Sequence, residues 1–503
     1  MIFSSQIFLF LFLPLVLSLY LGLVVWRAVA PGTSVSLLGN GVLLLASLVF
    51  YAWGETWFVA VMVGSILLDY TCGRLIARGW QRQDAGLRKL GLVLSVAGNL
   101  GILCIWKYFD FFTSSLDRLC RLAGAPILEP DLLGLALPMG ISFFTLQSMS
   151  YTIDVYRNRV QATRNILHFA TYVSLFPQLA AGPIVRYRDI EHQLTDRKVD
   201  LDGLAVGIGR FIVGLGKKVL IADSVGVVAD QVWALDRGDL SAGLAWTGAL
   251  CFTLQIYFDF SGYSDMAIGL GRMFGFRFRE NFDYPYIAAS IGEFWRRWHI
   301  SLSTWFRDYL YVPLGGNRKG AGRTYVNLVV VFLLCGLWHG ASWLFVAWGL
   351  YHGLFLVLER IGLKRLLARL PLPLRLIYTV LVIVVGWVLF RSASLERAGS
   401  MLQAMLGFAD GSATAAELGI RIGKLTWIAM LAGVVGSAPV GPWSKGLAAS
   451  LLARLREARS RLGSAALGPG LRLATVAVLM LTMLVCAMSL AASTHQPFIY
   501  FRF

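Results

Sequence analysis

The 503-residue sequence predicts an all-α polytopic membrane protein, a single integral membrane domain over residues 1–503 with about 11–13 transmembrane or re-entrant helices. Three observations predict it. The chain is 57% hydrophobic and only 15% charged, with a mean hydropathy of +0.67, whereas a soluble protein of this size carries about a quarter charged residues. Its apolar residues arrive in blocks of roughly 17–25, the length of helix that crosses about 30 Å of hydrocarbon. Lys and Arg gather between those blocks, as they do in cytoplasmic loops.

The elements follow in order. The opening stretch, MIFSSQIFLFLFLPLVLSLYLGLVVW, has neither the basic start nor the small-residue cleavage site of a removable signal peptide, so it reads as a retained first span near 7–27. Apolar blocks at 35–55, 56–73, 90–111, 132–150 and 166–183 come next. The block 204–230 stands apart because Lys217 and Lys218 lie in its middle. Two charges at the bilayer midplane cost several kcal/mol, which predicts a kinked, re-entrant or interfacial helix there. Blocks at 242–271, 326–342, 343–359, 376–392, 425–441 and 472–492 complete the set.

Basic stretches at 74–89, 296–323 and 360–375, and the Arg- and Ala-rich loop 442–472, fall between spans. The positive-inside rule puts all four in the cytoplasm. The tail THQPFIYFRF then lies outside, and the polar stretch 393–424 is an external loop. The formal charge of +17 is accounted for by this topology and by anionic lipid, so nucleic acid is not expected as a partner. Six cysteines, mostly in apolar runs, show no metal-ligand or CxxC spacing and read as free thiols. No metal site is expected.

Between Arg323 and Arg360, both assigned to the cytoplasm, the chain must enter the membrane and return. Each arm then has about 17 or 18 residues, the short limit for a crossing. The natural break is in LLCGLWHGAS, where Gly340 and Ser342 loosen the helix and put His339 near the tip. Irregular backbone at that depth is tolerated only against protein or a water-filled cavity. A second histidine, His299, lies in EFWRRWHISLSTWFRDYLY, where Trp295, Trp298, Leu302, Trp305, Phe306 and Tyr309 recur at steps of three and four. That spacing predicts one amphipathic helix along the membrane surface, with His299 at the boundary of its two faces.

One histidine would thus be reached from the cytoplasm and the other from near the outer surface. A thin core with such a group on each side suits acyl transfer from a cytosolic donor to an external acceptor. Imidazole is suited to it, because partial burial keeps the ring neutral and basic. From the residues alone a structural reading stays open for both, since membrane histidines also serve as interhelical hydrogen-bond partners. His168, His192, His352 and His495 read as structural. Asp259 and Asp265, in YFDFSGYSDMAIGLG, read as pairing with arginines or holding a polar cavity. GLGRMFGF follows no strand, so its glycines are not a nucleotide loop.

Three stretches, YFDFSGYSDMAIGLG, ENFDYPYIAASIGEFWRRWHISLSTWFRDYLYVPLGGNR and GLWHGASWLFVAWGLYHG, closely resemble the membrane-bound O-acyltransferase (MBOAT) family, in its bacterial alginate O-acetyltransferase branch. MIFSSQIFLFLFLP, LPMGISFFTLQSMSYTIDVYR, FPQLAAGPIVRYRDI and the tail FIYFRF resemble the same branch; the likeness runs from residue 1 to about 360 and thins over 361–490. The resemblance implies a ring of helices around a thin centre pierced by a tunnel, with its core motifs over 257–352. It implies that His339 is catalytic and that His299 is the second signature position. Arg296, Arg297, Trp298, Ser303, Lys319 and Trp338 are the candidate substrate-binding residues. It further implies acetyl-CoA as donor with no bound cofactor, a bacterial inner-membrane location, and periplasmic SGNH-hydrolase-like partners that acetylate an exopolysaccharide. Alginate is the first expectation; cellulose and peptidoglycan are alternatives. A polysaccharide-precursor transporter is the rival from another class, but the chain shows one broken hairpin and no inverted repeat. A scaffold that only recruits periplasmic enzymes is the third.

Overall fold

The computed structural model describes residues 1–29, 35–124, 137–408, 411, 414–420, 422–440 and 467–492. The tail from 494 and most of the basic loop 442–472 lie outside the described residues; 467–472 open the last helix. Among the described residues every regular element is helical.

The chain starts with a π-helical turn, Phe8–Phe12, running into α1 (Leu13–Val29), then α2 (Val35–Ala52), α3 (Phe58–Gln81), α4 (Ala85–Leu103) and α5 (Phe109–Leu122). Asp84 starts α4 by accepting from Leu87 N–H, which satisfies one of the donors a helix start leaves open. Next is α6 (Ile141–Tyr156), buried along nearly its whole length. The apolar block 166–183 is not one span. It divides into α7 (Ile166–Ser174) and α8 (Phe176–Leu179), because Leu175 leaves the helical region and Pro177 brings no N–H to the turn that follows. The short α9 (Tyr187–Thr195) leads to α10 (Leu201–Gly216).

The block with two lysines is a continuous helical run. A π-helical segment, Lys217–Ala222, joins α10 to α11 (Asp223–Ala234). Lys217 pairs with Asp265 at 2.6 Å, and Lys218 with Asp223 at 2.6 Å and Asp259 at 2.8 Å. Both carboxylates of YFDFSGYSDM are therefore bound to cations, which is how charge is tolerated at depth. They come from α12 (Ala242–Met273), a 32-residue helix that is largely buried. It seats against α10 with glycine facing glycine: a Cβ on Gly214 would lie 2.6 Å from Gly262 O.

Two seven-residue helices follow, α13 (Ile291–Arg297) and α14 (Ile300–Phe306). Then come α15 (Ala321–His339) and α16 (Trp343–Leu358), the predicted hairpin, with its turn at Gly340–Ser342. Ser342 caps α16 by accepting from Phe345 N–H. Gly336 and Gly349 let the two backbones touch, since a Cβ on either would strike the other helix's main chain. After α17 (Lys364–Ala368) and α18 (Leu372–Arg391), the stretch read as an external loop holds α19 (Leu395–Met405), whose Met401 and Ala404 are fully buried. The described part ends with α20 (Lys424–Gly436) and α21 (Leu467–Ala492).

Among the described residues, seven helices are long and apolar enough to cross a membrane: those within 8–26, 58–81, 85–122, 321–339, 343–368, 372–391 and 473–492. Their outward faces carry exposed leucines and valines, whereas α6 and α12 are enclosed. The polar, broken elements α13 and α14 sit inside that apolar surround, with Phe294, Trp298 and Leu302 buried.

A candidate active site around Trp338

His339 is the last residue of α15 and is 7% exposed. Trp338, Trp348 and Phe390 surround its ring, with centroids at 4.9, 5.0 and 5.3 Å and near-perpendicular planes. The helix terminus is held from α4–α5 and α6. Lys107 Nζ donates to Trp338 O at 2.5 Å and to Ser142 Oγ at 3.0 Å, and Tyr108 Oη donates to Leu337 O at 2.9 Å. The last carbonyls of a helix have no partner within it. A cation placed there satisfies them and complements the helix dipole. Trp338 is fixed in turn by its indole N–H, which donates to Ser142 O at 3.1 Å.

His299 does not sit on the boundary of an amphipathic helix. It breaks that helix, adopting a left-handed conformation with φ 43° and ψ 55°. The cause is the loop at 281–283, which takes over the helical hydrogen bonds. Asp283 N–H donates to Arg297 O at 2.9 Å, Ile300 N–H to Asn281 O at 2.9 Å, and Ser301 N–H to Asn281 Oδ1 at 3.1 Å. The turn swings His299 inward until it is 0% exposed. Its ring stands 4.6 Å from that of Phe260 and 6.1 Å from that of Trp338. The two histidines thus share one aromatic cluster on either side of Trp338; they do not face opposite surfaces. Burial pushes the His299 imidazole down to about 3, so it is neutral at physiological pH.

The other candidates divide. Trp298 is buried, stacked on Phe294 and 4.8 Å from the Trp387 ring. Arg296 and Ser303 line a cavity of about 480 Å³ between α13–α14 and α15, with Trp295 and Cys335 also in its wall. Arg297 lies outside that lining and is engaged with Glu293 and Asp283, both at 2.9 Å. Lys319 is exposed on the turn after α14, folded over Gly315. A second cavity, of about 550 Å³, opens at the hairpin turn, lined by Gly340, Ser342, Arg391 and Arg397. Cys335, one helical turn before His339, lines the first cavity, and Gly340, directly after it, lines the second.

Sequence reasoning missed Lys107 and Asn281. A lysine inside an apolar block, IWKYF, was a usable signal. Asn281 offered none, being one polar residue in a loop. His352 is fully buried beside Trp295 and Trp348, at 5.1 and 4.9 Å between rings, and neither of its nitrogens has a hydrogen-bond partner among the described residues. All six cysteines are free. Among the described residues, no three His, Cys, Asp or Glu side chains gather as a metal site would require.

The chain is similar to known proteins. The family model for the membrane-bound O-acyltransferase family matches residues 150–393. The probable alginate O-acetylase AlgI of Pseudomonas putida is 43% identical over 100% of both chains. That of Pseudomonas aeruginosa is 45% identical over 84% of this chain and 79% of its own. A peptidoglycan O-acetyltransferase of Helicobacter pylori is 37% identical over 81% of this chain and 80% of its own.

Proposed function

The chain belongs to the membrane-bound O-acyltransferase family, and from that premise we propose that it passes acetyl from cytoplasmic acetyl-CoA through the bacterial inner membrane for O-acetylation of an exopolysaccharide, alginate. The protein is an acyltransferase and a multi-pass membrane protein. The donor enters the cavity beside α13 and α14, where Arg296, and Lys319 on the following turn, supply positive charge for its phosphates. The acceptor hydroxyl comes from the hairpin side, offered by a periplasmic SGNH-hydrolase-like partner that then acetylates the glycan.

His339 acts as general base. It takes the hydroxyl proton as the oxygen attacks the thioester carbonyl; the C–S bond breaks, and the departing thiolate receives the proton. Such a base contributes about 10²–10⁴ in rate. The observation that carries the reading is that Cys335 and Gly340, which flank His339 in the chain, each stand in the wall of a cavity. The test is transfer from labelled acetyl-CoA in reconstituted vesicles. His339→Ala retaining more than about a tenth of wild-type transfer would rule out the general-base role. A wild-type protein that leaves the thioester intact would instead be a transporter.

The full-length 43% likeness to an alginate O-acetylase supports alginate as the acceptor. Peptidoglycan is the second reading, favoured by the 37% identical relative. Acetyl content of each polymer in cells with and without the gene separates them.

A further inference from the structure

We propose that Asn281 is a positioning residue that sets the tautomer of His299, holding the proton on Nδ1 and leaving Nε2 as a bare acceptor within the site. This rests on the reading of His299 as a participant in acetyl transfer. Its consequence is specific: His299 can accept a proton or a hydrogen bond, but it cannot donate one to a developing oxyanion.

Asn281 is 1% exposed, in the loop between α12 and α13. Its Oδ1 lies 3.1 Å from Ser301 N, 2.9 Å from Ser301 Oγ and 3.2 Å from His299 Nδ1. A backbone N–H can only donate, so the amide atom facing Ser301 N is the oxygen and the orientation of the amide is settled. An oxygen has no proton to offer, so His299 Nδ1 must bring one. Ser301 Oγ is also 3.4 Å from His299 Nδ1, but its single proton goes to the nearer Asn281 Oδ1. Ile184 N–H, at 3.0 Å, holds that hydroxyl from the other side.

In a neutral imidazole with Nδ1 protonated, Nε2 carries the lone pair. The ring is neutral because it is buried, and no charged side chain among the described residues offsets that burial. Nε2 has no hydrogen-bond partner among the described residues. A buried acceptor left open costs free energy, which a substrate hydroxyl or amide donor would recover on binding. The same amide ties the left-handed turn together, so one residue sets both where the ring stands and which nitrogen is basic.

The decisive measurement is the ring-nitrogen NMR spectrum of the full-length wild-type protein, 15N-labelled at histidine in nanodiscs, with the His299 signals identified by their loss in His299→Gln. A protonated Nδ1 and a bare Nε2 at neutral pH are expected; a protonated Nε2 overturns the proposal. Asn281→Leu should lower kcat by about tenfold or more, as loss of an outer-shell partner does, with KM for acetyl-CoA unchanged and a mixed tautomer signal. Asn281→Asp keeps an accepting oxygen and should restore the Nδ1–H form and most of kcat. Equal kcat in the two variants overturns the positioning role. If His299→Gln transfers acetyl at the wild-type rate, the reading of His299 fails, and with it any role for Asn281 in transfer; the spectrum still decides the tautomer by itself, so the two failures are distinguishable.

Discussion

The two histidine-bearing regions are built in opposite ways. His339 ends an unbroken 19-residue helix, about 28 Å long at 1.5 Å per residue, so ordinary helical geometry carries it to its depth. Neighbouring elements then only clamp the terminus, through Lys107 and Tyr108. His299 lies between two seven-residue helices, in a backbone conformation that costs a non-glycine residue roughly 1–2 kcal/mol. What holds it there is a loop about twenty residues upstream, whose Asn281 and Asp283 take the helix's own hydrogen-bonding groups. One site is a local product of the chain with a tertiary clamp. The other exists only because two distant segments meet.

That contrast can be broken or sharpened by experiment. The largest effect belongs to His339→Ala, expected to cut transfer by about 10²–10⁴, with a lower unfolding temperature in detergent as well, because the lost ring leaves a cavity among Trp338, Trp348 and Phe390. Gly349→Val attacks the hairpin itself, driving a side chain into the main chain of α15 at Phe332. A stability loss of about 1–3 kcal/mol or more is expected, read as an earlier thermal transition with activity lost in parallel.

Lys107→Met leaves the carbonyls of Trp338 and His339 without their cation. It should cost about 1–3 kcal/mol and lower transfer without touching substrate; unchanged thermal stability and activity would show that the clamp is idle. At the other histidine, His299→Gly should be more stable than His299→Ala by about 1 kcal/mol, since glycine adopts φ 43° without strain. Equal stabilities would mean that the turn is not strained. The same pair of changes at position 339 should show no such preference.

The smallest effect near neutrality is a pH dependence from His299. Its folded value of about 3 lies below the ordinary 6.5, so between those values the unfolded chain binds more protons than the folded one. Stability is therefore complete above about pH 6.5 and declines as pH falls toward 3. His299→Gln should remove that part of the acid sensitivity, measured as denaturation midpoint against pH.

Much of the site near His339 was legible before any coordinates. A run of about 36 residues between two arginines expected on the same side of the membrane had to fold back, and Gly340 and Ser342 marked where. The aspartates of YFDFSGYSDM were expected to meet arginines; Asp265 does meet Arg210, but Lys217 joins it there, and Asp259 is held by Lys218. The helix through His299 was misread because Trp295, Trp298, Leu302 and Trp305 do follow a helical stripe. Periodicity reports which side chains seek burial and is blind to a loop that competes for the backbone. The stretch 393–424 was misread for a related reason: α19 is amphipathic and gains its burial from α12, not from lipid.

The membrane-spanning, all-helical class and the hairpin with His339 at its tip could be read from the chain alone, because hydrophobic length and charge placement act locally. Only the tertiary structure decided that His299 turns inward, that both histidines flank Trp338, and that Lys107 and Asn281 serve them. Hydrogen bonds between segments far apart in the chain leave no periodic trace in it, and their strength depends on the buried geometry that the assembled helices create.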